Sequence, residues 1–155
     1  MKKTLLLLSG VLALSVVSCK TAGEITTSTP VVEKKVDMSK NLEGEWILSS
    51  ITTPATAGKD LKTLYSMKTP SLKFEVKDKK VYGNDGCNNI HGSFEVKGSN
   101  EIKLGDKMAS TMMFCEGVAD RDFVNGLQSV TNYDVVDGKL LLRSGDIIIM
   151  TFVKK

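Results

Sequence analysis

Ten residues, Gly83 to Gly92 (G-N-D-G-C-N-N-I-H-G), constrain this chain more than any other stretch. Three glycines, three asparagines and an aspartate are the residue types that supply positive φ and side chain to backbone hydrogen bonds, and both tendencies interrupt regular structure. The run predicts a compound turn rather than a strand or helix. Cys87 and the chain's only histidine, His91, sit inside it. No further residues complete a catalytic set around them, so the sequence predicts no enzyme.

On either side of that run the apolar residues alternate. Leu42, Gly44, Trp46 and Leu48 alternate with polar neighbours except at Ile47, which predicts a first strand with Trp46, the only tryptophan, as a core anchor. Pro54, Gly58 and Pro70 punctuate a crossing loop with a helical turn over Asp60 to Ser66. Leu72, Phe74 and Val76, then Val81 and Tyr82, then Phe94 and Val96, then Ile102 and Leu104 mark successive strands separated by Asp78-Lys79-Lys80, the central run and Gly98-Ser99-Asn100. This is the pattern of an antiparallel meander.

Beyond the meander, Met108, Met112, Met113 and Phe114 make an apolar segment with the character of core filling. Phe123, Val124, Leu127 and Val130 fall at helical spacing behind Asp120 as a cap. Gly126 inside that helix costs about 1 kcal/mol relative to alanine, so packing must hold the helix in place. Asp137-Gly138 suits a two-residue type I′ hairpin, and Ser144-Gly145-Asp146 turns the chain into Ile147 to Val153, apolar enough for a central strand.

The N-terminus has a different texture. Lys2 and Lys3 precede thirteen mostly apolar residues, Leu5 to Val17, and the run ends in V-V-S-C at Cys19. A membrane-spanning helix needs about 20. The segment looks like a bacterial lipoprotein signal. That resemblance implies a signal peptide over 1–18 and a lipidated Cys19. From Cys19 the Thr, Ser and Lys-rich stretch over 19–40 has no sustained period and reads as a flexible tether, and the change of texture at Asn41 starts a folded domain over 41–155. The lipoprotein resemblance places the protein in the bacterial cell envelope, held by its lipid. Lys20 takes the position where an aspartate signals retention at the inner membrane, which implies the outer membrane, facing the periplasm. Cleavage removes two lysines, leaving 21 − 2 = 19 basic residues against 18 acidic ones. With Lys and Glu alternating rather than clustered, no patch forms to neutralise phosphates, and no nucleic-acid partner is expected.

Cys87 and Cys115 are then the remaining cysteines of an exported chain. An even pair in an oxidising compartment predicts a disulfide and no cofactor. A second reading leaves them free, with Cys87, His91, Cys115 and Met112 (or Met108 or Met113) as soft ligands for copper or zinc. A thiol nucleophile at Cys87 with His91 as its base is the least favoured reading, because a cysteine committed to a disulfide supplies no thiolate.

In order, the landmarks are Gly44-x-Trp46; Gly86, Cys87, Asn88 and Gly92; Thr111, Met112, Met113 and Cys115; and Phe123 and Leu127 on the helix. Together they resemble the META domain family, to which HslJ-like heat-shock lipoproteins belong, over roughly Leu42 to Val153. Met112 stands where the family usually has arginine. The resemblance implies an α+β fold, predominantly antiparallel β, with a curved sheet or half-barrel and one main helix packed on it. It also implies a non-enzymatic binding or interaction module linked to envelope stress or antibiotic tolerance, with a peptide, lipid or small apolar ligand. The alternative is a soft-metal-binding envelope stress protein.

Overall fold

A computed structural model describes residues 38–104 and 108–155. Cys19, the signal segment and nearly all of the tether lie outside the described residues. The described chain opens with a 3-10 turn over Met38–Leu42, which begins before Asn41 and includes it. Leu42 therefore belongs to this turn and not to the first strand, although it is fully buried.

Among the described residues there are nine strands, all paired antiparallel, and two helices. The strands are β1 (Gly44–Ile51), β2 (Ser71–Glu75), β3 (Lys80–Asn84), β4 (Asn89–Lys97), β5 (Glu101–Leu104), β6 (Ala109–Ser110), β7 (Asn132–Val136), β8 (Lys139–Ser144) and β9 (Ile147–Lys154). The helices are α1 (Leu61–Leu64) and α2 (Asp120–Gln128). The strand order is β3-β2-β1-β9-β8-β7-β5-β4-β6, and β3 also pairs with β4. That extra pairing corrects the expected half-barrel: eight strands close into a ring, and β6 adds to β4 from outside it. Closure works because β4 is long. Its first half pairs with β3 from Asn89 to Ser93, and its second half pairs with β5 from Phe94 to Lys97. The thinnest seam is β5 to β7, where one registered pair, Glu101 with Asn132, is flanked by amide bonds from Ile102 to Thr131 O and from Tyr133 to Asn100 O.

Alternation puts one face of each of the eight ring strands inside the ring. Trp46, Leu72, Phe74, Val81, Ile90, Phe94, Leu140, Leu142, Met150 and Phe152 are all buried there. Each such side chain removed from water contributes about 1.5–3 kcal/mol, which is what holds so short a set of strands together. From α2, Phe123 and Leu127 are buried, and Phe123 meets Phe152 and Tyr65 edge to face at ring-centroid distances of 6.3 and 6.5 Å. Gly126 lets the helix approach closely, since a Cβ there would run into the Met150 side chain.

Two expectations change at element ends. Asp120 is not the cap of α2: Ala119 occupies that position, and the Asp120 carboxylate accepts the Arg121 amide at 2.8 Å from inside the first turn. There its charge, with that of Asp122, still favours the positive end of the helix. Ile147 opens the central strand β9 yet is 68% exposed, because β1 stops at Ile51 opposite Met150 and leaves the start of β9 without a neighbour on that side.

The largest change concerns the Gly83 to Gly92 run. Gly83 and Asn84 finish β3, Asn89 to Gly92 begin β4, and only Asp85 to Asn88 form the turn. The ladder wins over the local preferences because Ile90 is buried and its neighbours have backbone partners across the hairpin. Gly83 serves a close approach rather than a turn: a Cβ on it would overlap the Ser71 carbonyl oxygen in β2. Gly83→Ala is expected to cost about 1–3 kcal/mol by pushing β2 and β3 apart. An unchanged thermal midpoint in that variant would show that the pair yields freely.

Candidate functional site

The turn between β3 and β4 is built from its own polar side chains. Asp85 Oδ1 accepts the amides of Cys87 at 2.9 Å and Asn88 at 2.6 Å, and the Asp85 amide donates to Asn88 O at 3.0 Å. Asn84 Oδ1 accepts the Gly86 amide at 3.1 Å. Gly86 has φ +98°, in the region that favours glycine, and a Cβ on it would also strike the Tyr65 ring. Asn84, Asp85 and Asn88 are buried, and these bonds are what make that burial tolerable.

From this turn two ties reach the segment ahead of α2. The first is Asn88: its Oδ1 accepts the Met113 amide at 2.7 Å and the Thr111 hydroxyl at 3.0 Å, and its Nδ2 donates to Met113 O at 3.3 Å. The carboxamide thus pairs with Met113 as a strand residue would. Beside it, the Thr111 amide donates to Asn89 O and the Asn89 amide donates to Thr111 Oγ1, both at 3.1 Å. The second tie is covalent. Cys87 and Cys115 are joined by a disulfide, 28 residues apart in sequence with their Cα atoms 5.8 Å apart.

With the backbone of Met113 and the sulfur of Cys115 held inward, the side chains of Met112, Met113 and Phe114 are turned out. Met112 is 100% exposed, Phe114 90% and Met113 57%. These three residues therefore do not fill the core as the sequence suggests. Met108 is half-buried and packs over Gly92. Contiguous apolar side chains on a fixed, solvent-facing loop are the usual mark of a contact surface, and methionine adapts its shape to varied partners.

Beneath the loop an open cleft of about 760 Å3 runs to α2, lined among others by Met113, Phe114, Val118, Asp120, Asp122 and Val124. Its back wall is firm. The Ala119 amide donates to Leu64 O at 2.9 Å, and the Tyr65 hydroxyl donates to Ala119 O at 3.3 Å. Burial above all, and then the negative charges of Asp122, Asp85 and Asp120, raise the Tyr65 pKa and keep its hydroxyl a neutral donor.

The metal set of Cys87, His91, Cys115 and Met112 is not assembled. The two sulfurs that would have to act as thiolates are bonded to each other, and Met112 projects into solvent. His91 lies on β4 rather than in the turn, exposed, opposite Tyr82 of β3 and Ala109 of β6. Among the described residues, no group of three or more His, Cys, Asp or Glu side chains is placed to hold an ion. The same bond removes the nucleophile from a Cys87–His91 pair. What the sequence does not announce is the grip of Asn88 on Met113, which joins residues 25 apart; its only signal is an asparagine adjoining a cysteine of the pair.

A small, closed antiparallel barrel carrying one packed helix and a loop stapled across its β3–β4 turn is the class of protein that this fold and site define. The chain belongs to the META domain family, whose model matches residues 40–155. No curated protein sequence matches this one. Solved structures with a similar fold include a DUF4847 family protein from Bacteroides vulgatus, 13% identical, covering 74% of this chain and 94% of that one at a TM-score of 0.55. Another, determined by NMR, is 18% identical over 77% of this chain and 95% of that one, at a TM-score of 0.56. A protein from Burkholderia xenovorans is 18% identical over 76% and 86%, at a TM-score of 0.50. At such identities the likeness shows the fold alone.

Proposed function

We propose that this protein is a lipid-anchored, non-enzymatic binding module of the bacterial cell envelope. Cys19 carries it on the outer membrane, facing the periplasm, and the Met112–Phe114 loop is its contact surface. The observation that carries the reading is the fixed exposure of that loop: a disulfide and the Asn88 carboxamide hold it while Met112 and Phe114 face solvent. A contact surface ordered in advance loses little conformational freedom on binding, so more of the apolar contact appears as affinity. META membership supports a role in envelope stress or antibiotic tolerance.

Two measurements test this. Cys19→Ser is expected to move the protein from the membrane fraction to the soluble envelope fraction; retention in the membrane at the original level sinks the anchor. A double variant, Met112→Ser with Phe114→Ser, is expected to keep the wild-type thermal midpoint, because exposed side chains contribute little to stability. It should nevertheless fail to restore envelope-stress tolerance to a strain lacking the protein. Full restoration by this variant counts against the loop as the working surface.

A further inference from the structure

Among the described residues β6 is the one strand with a single neighbour. Each of the other eight has a strand on both sides along at least part of its length. The chain runs on from β6 beside the β3–β4 turn, with the Thr111 amide bonded to Asn89 and the Met113 amide and carbonyl bonded to Asn88. Alternate residues are therefore satisfied toward the barrel. The amides and carbonyls of Met112 and Phe114, between and beyond them, meet no hydrogen-bond partner among the described residues. Natural sheets usually cover or blunt such an edge. Among the described residues no strand pairs with it on that side, its chain is held by Asn88 and by the disulfide, and exposed apolar side chains flank it.

The surrounding charge selects what fits. Glu116, Asp120 and Asp122 follow the loop, and Asp120 and Asp122 line the cleft below it, where Arg121 is the only basic residue. Among the described residues no cation forms an ion pair with any of the three. A net negative rim beside an apolar edge favours a chain that alternates apolar and basic side chains and disfavours an anionic bilayer.

We propose that the edge formed by β6 and the Met112–Phe114 segment takes an added strand from a protein partner, an extended segment of alternating apolar and basic residues. Its backbone would bond to Met112 and Phe114, its apolar side chains would meet those of the loop, and its cations would reach Asp120, Asp122 and Glu116. This is recognition by strand addition, in which main-chain bonds supply affinity and side chains supply choice. The inference rests on the reading of this loop as the contact surface and adds how the contact is made.

The test is amide hydrogen exchange on the full mature chain in neutral-lipid nanodiscs. The probes are a hexapeptide alternating lysine and valine and a second alternating glutamate and valine. The lysine peptide is expected to slow exchange at Met112 and Phe114 by tenfold or more, and the glutamate peptide to leave both amides unchanged. Met112→Pro removes an amide that the fold does not use, and it should weaken lysine-peptide binding about tenfold at an unchanged thermal midpoint. Equal protection by both peptides overturns the charge selection. If Phe114→Ser abolishes binding while Met112→Pro does not and both amides stay unprotected, strand addition fails and the loop remains a side-chain contact surface. Protection that rises with protein concentration alone would assign the edge to a second copy, and protection only on anionic vesicles would assign it to lipid; either overturns the proposal. Failure of the lysine peptide to bind overturns strand addition, and the same failure together with full stress tolerance in the Met112→Ser, Phe114→Ser variant sinks the contact-surface reading as well.

Discussion

Reducing the Cys87–Cys115 disulfide, or replacing both residues with alanine, is expected to lower stability by about 3–4 kcal/mol. The bond closes a loop across a sequence separation of 28 residues, and the denatured-state entropy removed by a loop of that size gives this magnitude. In a domain of this length the thermal midpoint should fall by roughly 10–20 °C. The barrel itself should survive, because none of its strand pairings passes through either cysteine. Only the Met112–Phe114 loop should loosen. With the sulfur link gone, Asn88 alone holds Met113, so Asn88→Ala should destabilise the reduced protein by a different amount from the oxidised one. Both ties restrain one loop, and changes at a shared element do not add. Calorimetry with and without reductant reads the first effect and the double-mutant cycle reads the second. A midpoint that moves by less than ~2 °C on reduction would mean that the staple contributes nothing the barrel lacks.

Most of the strands were legible because their residues alternate and one face is buried. Leu72 and Phe74, Phe94, and Ile102 and Leu104 all point inward as their spacing predicts. The Asp137-Gly138 turn has φ of +50° and +71°, both positive as a type I′ turn requires. Phe123 and Leu127 mark the buried face of α2, and the landmarks from Trp46 to Leu127 lead to the META family. Closure of the ring was not legible, since it depends on which distant strands meet at the β5–β7 seam. Composition also misled around Gly83 to Gly92, where glycines and asparagines sit within a ladder that cross-strand partners enforce. At Met112 and Phe114 the error ran the other way. Apolar character reads as burial when a segment is considered by itself, but a disulfide and one carboxamide, each reaching across more than twenty residues, decide which way these side chains face.

Trp46→Ala is expected to cost about 3–5 kcal/mol, the usual range for emptying a large aromatic site in a core that cannot collapse around it. Trp46 is fully buried in β1, opposite Leu72 of β2 on one side and Lys154 of β9 on the other, so the cavity would open between three strands of the ring. Two further contacts separate shape from polarity. The indole Nε1 donates to Leu42 O at 2.8 Å, fastening the opening 3-10 turn to the barrel, and the Lys154 ammonium lies 5.3 Å from the ring centroid. Trp46→Phe keeps much of the apolar volume but leaves a buried carbonyl without its donor, at a cost of about 1–3 kcal/mol. Lys154→Ala removes a cation at the surface and should cost at most ~1 kcal/mol. Urea denaturation of the three variants therefore orders them Trp46→Ala, then Trp46→Phe, then Lys154→Ala. If Trp46→Phe proved as damaging as Trp46→Ala, the bond to Leu42 rather than the filled volume would be what Trp46 contributes, and the 3-10 turn would be an integral part of the barrel.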